Sequence, residues 1–361
     1  MKILYGVQAT GNGHITRARA MSKHLKNAKL DVDYIFSGRS REEFFDMDEF
    51  GEWDCKQGLT FAHEAGNVKI LKTLQQNNLR QLWRDINTLD LTAYDLIITD
   101  FEPITAWAAR KQKKTCLGLG HQYAFGHTIP RRGASFMSTT IMKYFAPASM
   151  SLGLHWHHFG QAILPPIAET HDCDLPIDQK KYVVYLGFEE KEDVLQLLEP
   201  FEDYLFVYYG PFPHYESYNH IQMKPLSRDG FKADLASAAG VICNAGFELS
   251  SEAIQLGKKL LVKPLHGQVE QLSNAKALEE LDLAMTMDNL SKNVLGDWLQ
   301  NFEGKQVIYP DVAKAIAQWI AAGEWEDSSA LVRDLWGAVE AEGVPSFADC
   351  NKLDVPKQKA A

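Results

Sequence analysis

The sequence predicts an α/β protein made of two doubly wound, parallel-sheet (Rossmann-like) domains that face each other across a cleft. Three observations carry that prediction. The chain has 361 residues, more than one core usually organises, since single cores stop growing near ~250–300 residues. Apolar strand-like runs alternate with helix-like segments along both halves, the pattern of a parallel sheet covered on both faces. Between the halves, Ala168–Lys181 (AETHDCDLPIDQKK) is polar, follows Pro165-Pro166 and has no periodicity, as befits a linker. Domains are therefore expected at 1–167 and 182–325, with a linker at 168–181 and a C-terminal extension at 326–361.

In the first half, Lys2–Gln8 (KILYGVQ) reads as a buried strand and is followed by a Gly-rich turn. A helix is expected from about His14 to Asn27, because Ile15, Ala18, Met21 and Leu25 recur at spacings of three and four and share one face. Asp33–Ser37 is a second strand, Leu59–Phe61 a candidate third, and Val68–Asn87 has a helical pattern. Asp95–Asp100, Ile104–Gln112 and Thr115–Leu119 read as strand, helix and strand. After the linker, Tyr182–Leu186, Tyr204–Tyr209, His220–Lys224, Gly240–Cys243 and Lys259–Lys263 read as strands. Helices are expected at Lys191–Phe201, Asp229–Ala238, Glu248–Leu256, Val269–Leu281 and Val312–Ala322, with a polar, frayed tail at Lys352–Ala361.

Composition excludes several function classes. The chain is 45% hydrophobic and 23% charged, with formal net charge −10, as in a soluble globular protein. Residues 1–165 carry 20 Lys and Arg against 15 Asp and Glu, whereas residues 166–361 carry 17 against 32. A nucleic-acid-tracking protein would show a dominant basic excess, and this chain does not. The mildly basic first half still suits an anionic partner. No run of ~18 apolar residues is present, so no membrane span is expected. The opening segment MKILYGVQATGNGH lacks the apolar core and cleavage site of a signal peptide. The five cysteines, Cys55, Cys116, Cys173, Cys243 and Cys350, are odd in number, widely spaced and without a CxxC pair. They point to reduced thiols in the cytoplasm, not to disulfides or structural zinc.

Paired domains of this kind bind ligands beyond the carboxyl ends of their strands, so residues just after strands matter most. Thr10-Gly11-Asn12-Gly13-His14 joins the first strand to the first helix. Glycine lets the backbone turn and approach a ligand, and a helix start offers unpaired N–H groups to polar or anionic oxygens. The full dinucleotide fingerprint is absent, and a plain strand–helix turn is the alternative. His14 sets this turn apart, placing an imidazole at the mouth of the cleft. Asp100-Phe101-Glu102 follows a second strand. If the first and fourth strands are neighbours, Asp100 reaches His14. A carboxylate on one imidazole nitrogen fixes the tautomer and raises the basicity of the other nitrogen. The alternative for Asp100 is a cap on the next helix, whose Pro103 suits the first helical position.

The densest motif runs from Cys243 through Asn244, Gly246, Phe247 and Glu252 to Gly257, Leu261 and Pro264, then Glu270-Gln271 and Asn274-Ala275. Over roughly Ser227–Leu281 this spacing resembles the donor-nucleotide domain of inverting glycosyltransferases of GT-B fold, in families 1 and 28. The match in the first half is shorter, resting on Gly11–His14 and Asp100. It is most similar to a bacterial and archaeal branch with Thr-Gly-Asn-Gly-His followed by Thr-Arg. The resemblance implies a GT-B fold in which the first domain binds the acceptor and the second a nucleotide diphosphate sugar, expected to be UDP-linked. It implies donor contacts from Gly13, Gly187, Asn244, Gly246, Phe247, Glu252, Glu270 and Gln271. Among these, Gly246 leaves N–H groups open to the diphosphate, Glu252 takes the ribose diol, and Glu270 and Gln271 take sugar hydroxyls. Two features depart from the plant pattern: Asn244 stands where a His is usual, and no Trp and Gln for uracil occur near Ser227–Phe231. Phe231 there is either a stacking ring or a core aromatic.

By the same resemblance His14 is the general base and Asp100 stabilises its imidazolium. The resemblance makes the enzyme a hexosyltransferase that uses fixed N–H dipoles in place of a metal. No cofactor is expected beyond the nucleotide sugar as substrate. Asp31-Val-Asp33 has the Asp-x-Asp form but opens a strand and is read as structural. Of His155-Trp156-His157-His158, a strand would put only His155 and His157 on one face, with no third ligand. His121 and Tyr123, in Gly120-His121-Gln122-Tyr123 after a strand, are the acceptor-binding candidates. Arg131-Arg132 with Phe136, Met137, Ile141, Met142, Tyr144 and Phe145 form a basic–apolar helix. Either it rests on the inner face of an anionic membrane and admits a lipid or lipid-linked sugar, or it is an ordinary core-facing helix. The run Arg110–Lys114 reads as a solvated helix end. Two other functions share the fold: a sugar-nucleotide 2-epimerase, which needs acidic residues in the cleft, and a nucleotide-sugar-binding regulator without turnover, for which a base is superfluous.

Overall fold

The computed structural model describes residues 1–59, 63–64, 67–68, 78–134, 136–168, 175–323, 325 and 327–348. The expected third strand at Leu59–Phe61, the start of the helix at Val68–Asn87, much of the 168–181 linker and the tail Lys352–Ala361 fall wholly or partly outside these residues.

The first sheet contains β1 (Lys2–Gln8), β2 (Asp31–Ser37) and β3 (Trp53–Lys56). A short antiparallel pair follows, β4 (His63–Glu64) and β5 (Asn67–Val68). The sheet is completed by β6 (Leu96–Asp100), β7 (Cys116–Gly120) and β8 (Met150–Gly153). Its order is β3-β2-β1-β6-β7-β8, and every pairing is parallel. The buried run Ile3–Gln8 lies at the centre, as a fully apolar parallel strand should. The strand that pairs with β2 at the edge of this sheet is Trp53–Lys56, which the sequence reading did not single out. It is a half-exposed edge strand with polar alternate residues, so it lacks the apolar signature that marks a central strand.

The second sheet contains β9 (Asp178–Tyr185), β10 (Leu205–Gly210), β11 (Glu216–Tyr218), β12 (Ile221–Pro225), β13 (Ala238–Asn244), β14 (Lys259–Lys263) and β15 (Met285–Thr286). Its order is β11-β12-β10-β9-β13-β14-β15, parallel except where β11 meets β12. β9 begins at Asp178, four residues before the expected strand start at Tyr182, because polar residues through Lys180 and Lys181 extend an otherwise apolar strand at its exposed end. In both sheets the strand order reverses at the centre, between β1 and β6 and between β9 and β13. Helices leave opposite faces there and a crevice opens beyond the carboxyl ends. The chain is thus two α/β parallel-sheet domains, the architecture that the GT-B resemblance implied.

The C-terminal region returns to the first domain. The helix Val312–Ala322 packs on the first helix, Asn12–Asn27. Trp336, in the helix Ser329–Gly337, donates its indole N–H to Ile163 O at 2.6 Å. Among the described residues, no helix is long and apolar enough to cross a membrane.

Candidate active site

The first helix starts one residue before Gly13, with Gly11 as an N-cap that makes no side-chain hydrogen bond. His14 therefore sits in its first turn, above the carboxyl end of β1. The adjacent β6 ends on Asp100, which pairs in register with Val7. Phe101 then takes a left-handed conformation, φ 54°, an arrangement rare outside glycine. This kink separates two carboxylates that are close in sequence. Asp100 turns to the first helix. Glu102, fully buried, caps the helix Pro103–Gln112 by accepting from Ile104 N and Thr105 N, and also from Thr105 Oγ1 and Ser37 Oγ. The cap of that helix is thus Glu102, and Asp100 is released for other contacts.

His14 Nδ1 lies 2.7 Å from Asp100 Oδ1. A carboxylate oxygen only accepts, so Nδ1 carries the hydrogen and Nε2 is left with the lone pair. His14 retains 16% side-chain exposure, whereas Asp100 has none. Burial acts to raise the Asp100 pKa, but the charges and hydrogen bonds of Arg17 and His14 outweigh it and hold the carboxyl below its ordinary value. Arg17 donates from Nε to Asp100 Oδ2 at 2.7 Å and from Nη2 to Oδ1 at 2.5 Å. Its Nη1 donates to Glu248 Oε1 of the second domain. Burial works against the Arg17 charge, yet Asp100 and Glu248 more than offset it and raise its pKa. Gly120 makes room for the cluster: a Cβ there would stand 3.1 Å from Asp100 Oδ1 and 3.2 Å from Arg17 Nη2.

Opposite, the helix Phe247–Gln255 starts from Gly246, whose cap position likewise makes no side-chain hydrogen bond and whose missing Cβ faces open space. The N–H groups of that first turn have no partner within the helix. Gly187, after β9, is similarly open. Beside it Glu189 pairs with Lys263 at 2.7 Å, tying the loop after β9 to β14. Glu252 is nearly buried on the second turn of the same helix. Glu270 opens the helix Val269–Glu280 and accepts from Gln122 Nε2 of the first domain at 3.1 Å. Gln271 is buried and uses its Oε1 to accept from Leu265 N.

Other candidates make packing contacts, some within one domain and some between the two. Phe247 is buried and stacks on His121 with ring centroids 4.0 Å apart. His121 is fully buried, with its nitrogens at Leu154 O (2.8 Å) and Asn274 Oδ1 (2.6 Å), and Asn274 Nδ2 donates to Ala245 O. Tyr123 donates to Ala146 O and packs against Phe101. Asn244 donates to Lys263 O on the neighbouring strand. Gly13 faces the second domain: a Cβ there would meet Glu248 Oε2 at 2.5 Å. Phe231 packs on Tyr185 and Tyr209 as a half-buried core aromatic.

The remaining sequence motifs stand apart from this centre. Asp33 accepts from Tyr94 OH and pairs with Lys2 at the amino end of the first sheet. His155–His158 is a turn, since β8 stops at Gly153. His157 and His158 accept from the backbone N–H groups of Phe159 and Gly160. Among the described residues no group of three His, Cys, Asp or Glu is arranged to hold a metal ion. Arg131 donates to Phe125 O and His127 O, and Arg132 pairs with Asp288 through two hydrogen bonds across the domains. Both arginines are thus engaged within the protein. The side chains of Phe136 and Met137 lie outside the described residues, while Tyr144 is exposed. Lys111 and Lys114 bond to Asn87 and to the carbonyls of Thr92 and Tyr94.

Sequence reasoning missed Arg17, Glu248 and Gln122 as members of the centre. Arg17 had a signal: it lies three residues after His14 and adjoins Ala18 on the inward face of the helix, where a charge needs a partner.

Both the chain and its fold are similar to known glycosyltransferases. The family model described as Glycosyl transferase family 1 matches residues 1–303. The fold is similar to the glycosyltransferase of kitacinnamycin, at TM-score 0.58 and 12% identity, over 89% of this chain and 94% of that one. It is similar to the glycosyltransferase SnogD from Streptomyces nogalater (0.54, 13%, 89% and 99%) and to MurG from Acinetobacter baumannii (0.53, 14%, 89% and 99%). No match is found among curated proteins.

Proposed function

The chain belongs to glycosyl transferase family 1, and on that premise we propose that it is an inverting, metal-independent hexosyltransferase using a UDP-linked sugar as donor. The observation that carries the reading is the His14–Asp100 pair at 2.7 Å, set beside the uncapped start of the helix Phe247–Gln255. His14 Nε2 takes the proton of an acceptor hydroxyl. That oxygen attacks the anomeric carbon as the bond from this carbon to the diphosphate breaks, and the configuration inverts. Asp100 holds the imidazolium that forms. Such a base contributes on the order of 10²–10⁴ in rate. The N–H groups of Phe247 and Glu248 and the helix dipole meet the charge that grows on the leaving diphosphate.

Gly187 and Gly246 keep the diphosphate path open, whereas the space at Gly13 is taken by the Glu248 carboxylate, and Glu252 offers its carboxylate to the ribose diol. Glu270, with Gln271 beside it, faces the sugar hydroxyls. Asn244, Phe247 and His121 shape the site by holding the loops. Tyr123 and the segment around it border the acceptor, for which a lipid or lipid-linked sugar is the class to test first. Of the other carboxylates at the domain boundary, Glu248 is engaged by Arg17 and Glu270 by Gln122. That arrangement disfavours proton abstraction by a carboxylate base, which an epimerase requires. The test is incubation with UDP-, GDP- and TDP-sugars, with and without membrane lipid extract, following diphosphate release. Extract-dependent release from a UDP-sugar is expected. Epimer formation without release, or binding without either, overturns the proposal.

A further inference from the structure

The base pair does not end at Asp100. Arg17 holds both oxygens of Asp100 and, with its remaining terminal nitrogen, Glu248 Oε1 on the first turn of the second domain's helix. His14, Asp100, Arg17 and Glu248 therefore form one chain of contacts that crosses the domain boundary. We propose that Glu248 is a positioning residue for glycosyl transfer: it neutralises Arg17 when the domains are together, and so sets the proton affinity of His14. The proposal rests on the reading of His14 as the base.

The argument is one of charge. Arg17 Nη2 lies 2.9 Å from His14 Nδ1, and both nitrogens converge on Asp100 Oδ1. Alone, Arg17 would oppose the imidazolium and claim the carboxylate that should stabilise it. With Glu248 present, Arg17, Asp100 and Glu248 sum to −1, and protonating His14 brings the group to neutrality. Without Glu248 the three sum to zero, and the same proton leaves a largely buried group with a net positive charge. Tyr5 also faces the cluster from β1, and its burial keeps the phenol protonated. Gln122 adds a neutral amide, with Glu270 beyond it. The carboxylates that act on Arg17 are Asp100 and Glu248.

Gly13 gives independent support. Glu248 Oε2 approaches its backbone so closely that a Cβ would lie 2.5 Å away. The glycine before the base thus admits the carboxylate of the opposite domain. The coupling makes the strength of the base depend on the seating of the donor-binding domain.

The test needs no substrate. The His14 ring proton is followed by NMR through a pH titration of the full chain, assigned by its loss in His14→Gln. Glu248→Gln is expected to lower the His14 proton affinity about three- to tenfold, moving its midpoint down by about 0.5–1 pH unit. Glu248→Asp should recover most of that shift. Gly13→Ala, which changes no charge but pushes Glu248 away, should reproduce the downward shift. An unchanged midpoint in folded Glu248→Gln, or in Gly13→Ala should Glu248→Gln not fold, overturns the proposal. Because no transfer is measured, failure here leaves the transferase reading standing, and failure of that reading leaves the titration informative.

Discussion

His121 and Phe247 lie face to face across the domain boundary, with ring planes only 6° apart. One ring follows β7 in the first domain and the other opens the helix Phe247–Gln255 of the second. Trp156 closes the stack at 4.9 Å from Phe247 and donates its N–H to Ser251. The start of the helix at which we propose the diphosphate binds is therefore fixed by aromatic contact with the first domain, not by its own domain alone.

Phe247→Ala should cost about 3–5 kcal/mol of stability, as for other buried aromatics. In a double-mutant cycle with His121→Ala, the coupling should be about 0.5–1.5 kcal/mol. Urea denaturation of the four proteins measures both, and a coupling near zero would show that the rings merely fill space.

Asp100→Asn should destabilise by about 3–5 kcal/mol at neutral pH, since it leaves Arg17 buried with a broken partner. The gap to wild type should narrow in acid. The folded-state pKa of Asp100 is depressed, so its contribution is complete above the ordinary carboxylate range and is lost as pH falls through the folded value. Denaturation at pH 7, 5 and 3 reads this directly, and a gap that stays constant contradicts it.

His157 titrates with the opposite motive. Burial, reinforced by His158, lowers its pKa to about 4. Below the ordinary histidine range near ~6.5 the unfolded chain takes the proton and the folded chain does not, so stability falls from that pH down to about 4. His157→Asn should flatten thermal stability between pH 6.5 and 4 by about 2–3 kcal/mol. An unaltered pH slope in the variant would refute the assignment.

The Arg132–Asp288 pair also crosses the domains, but both side chains are about half exposed. Arg132→Gln should therefore cost less than about 1 kcal/mol, and high salt should erase the difference. Melting curves at low and high salt separate this pair from the buried Arg17–Glu248 link, whose effect salt should hardly touch.

Much of this was legible in the sequence, and the limits have physical causes. Central strands such as Ile3–Gln8 and Ala238–Asn244 are apolar on both faces, so their runs stand out. The edge strand Trp53–Lys56 is half polar and looks like a loop. The helices Lys292–Asn301 and Ser329–Gly337 bury only narrow stripes and carry no strong pattern. Asp100 and His14 were found because each follows a strand and neighbouring strands bring such positions together. Glu248 was not, because its partner Arg17 lies in the other domain, and Arg17 carried only the weaker signal of a charge on the inward face of its helix. His121 follows a strand as a cleft residue should, yet a closely packed partner domain turns that position into an interior one.

The central claim is that His14 removes the acceptor proton. Diphosphate release from a UDP-sugar in the presence of membrane lipid extract, compared between wild type and a folded His14→Ala, tests it most directly. The account predicts a fall of about 10²–10⁴ in rate with the donor still bound; a His14→Ala protein that releases diphosphate at the wild-type rate would contradict it.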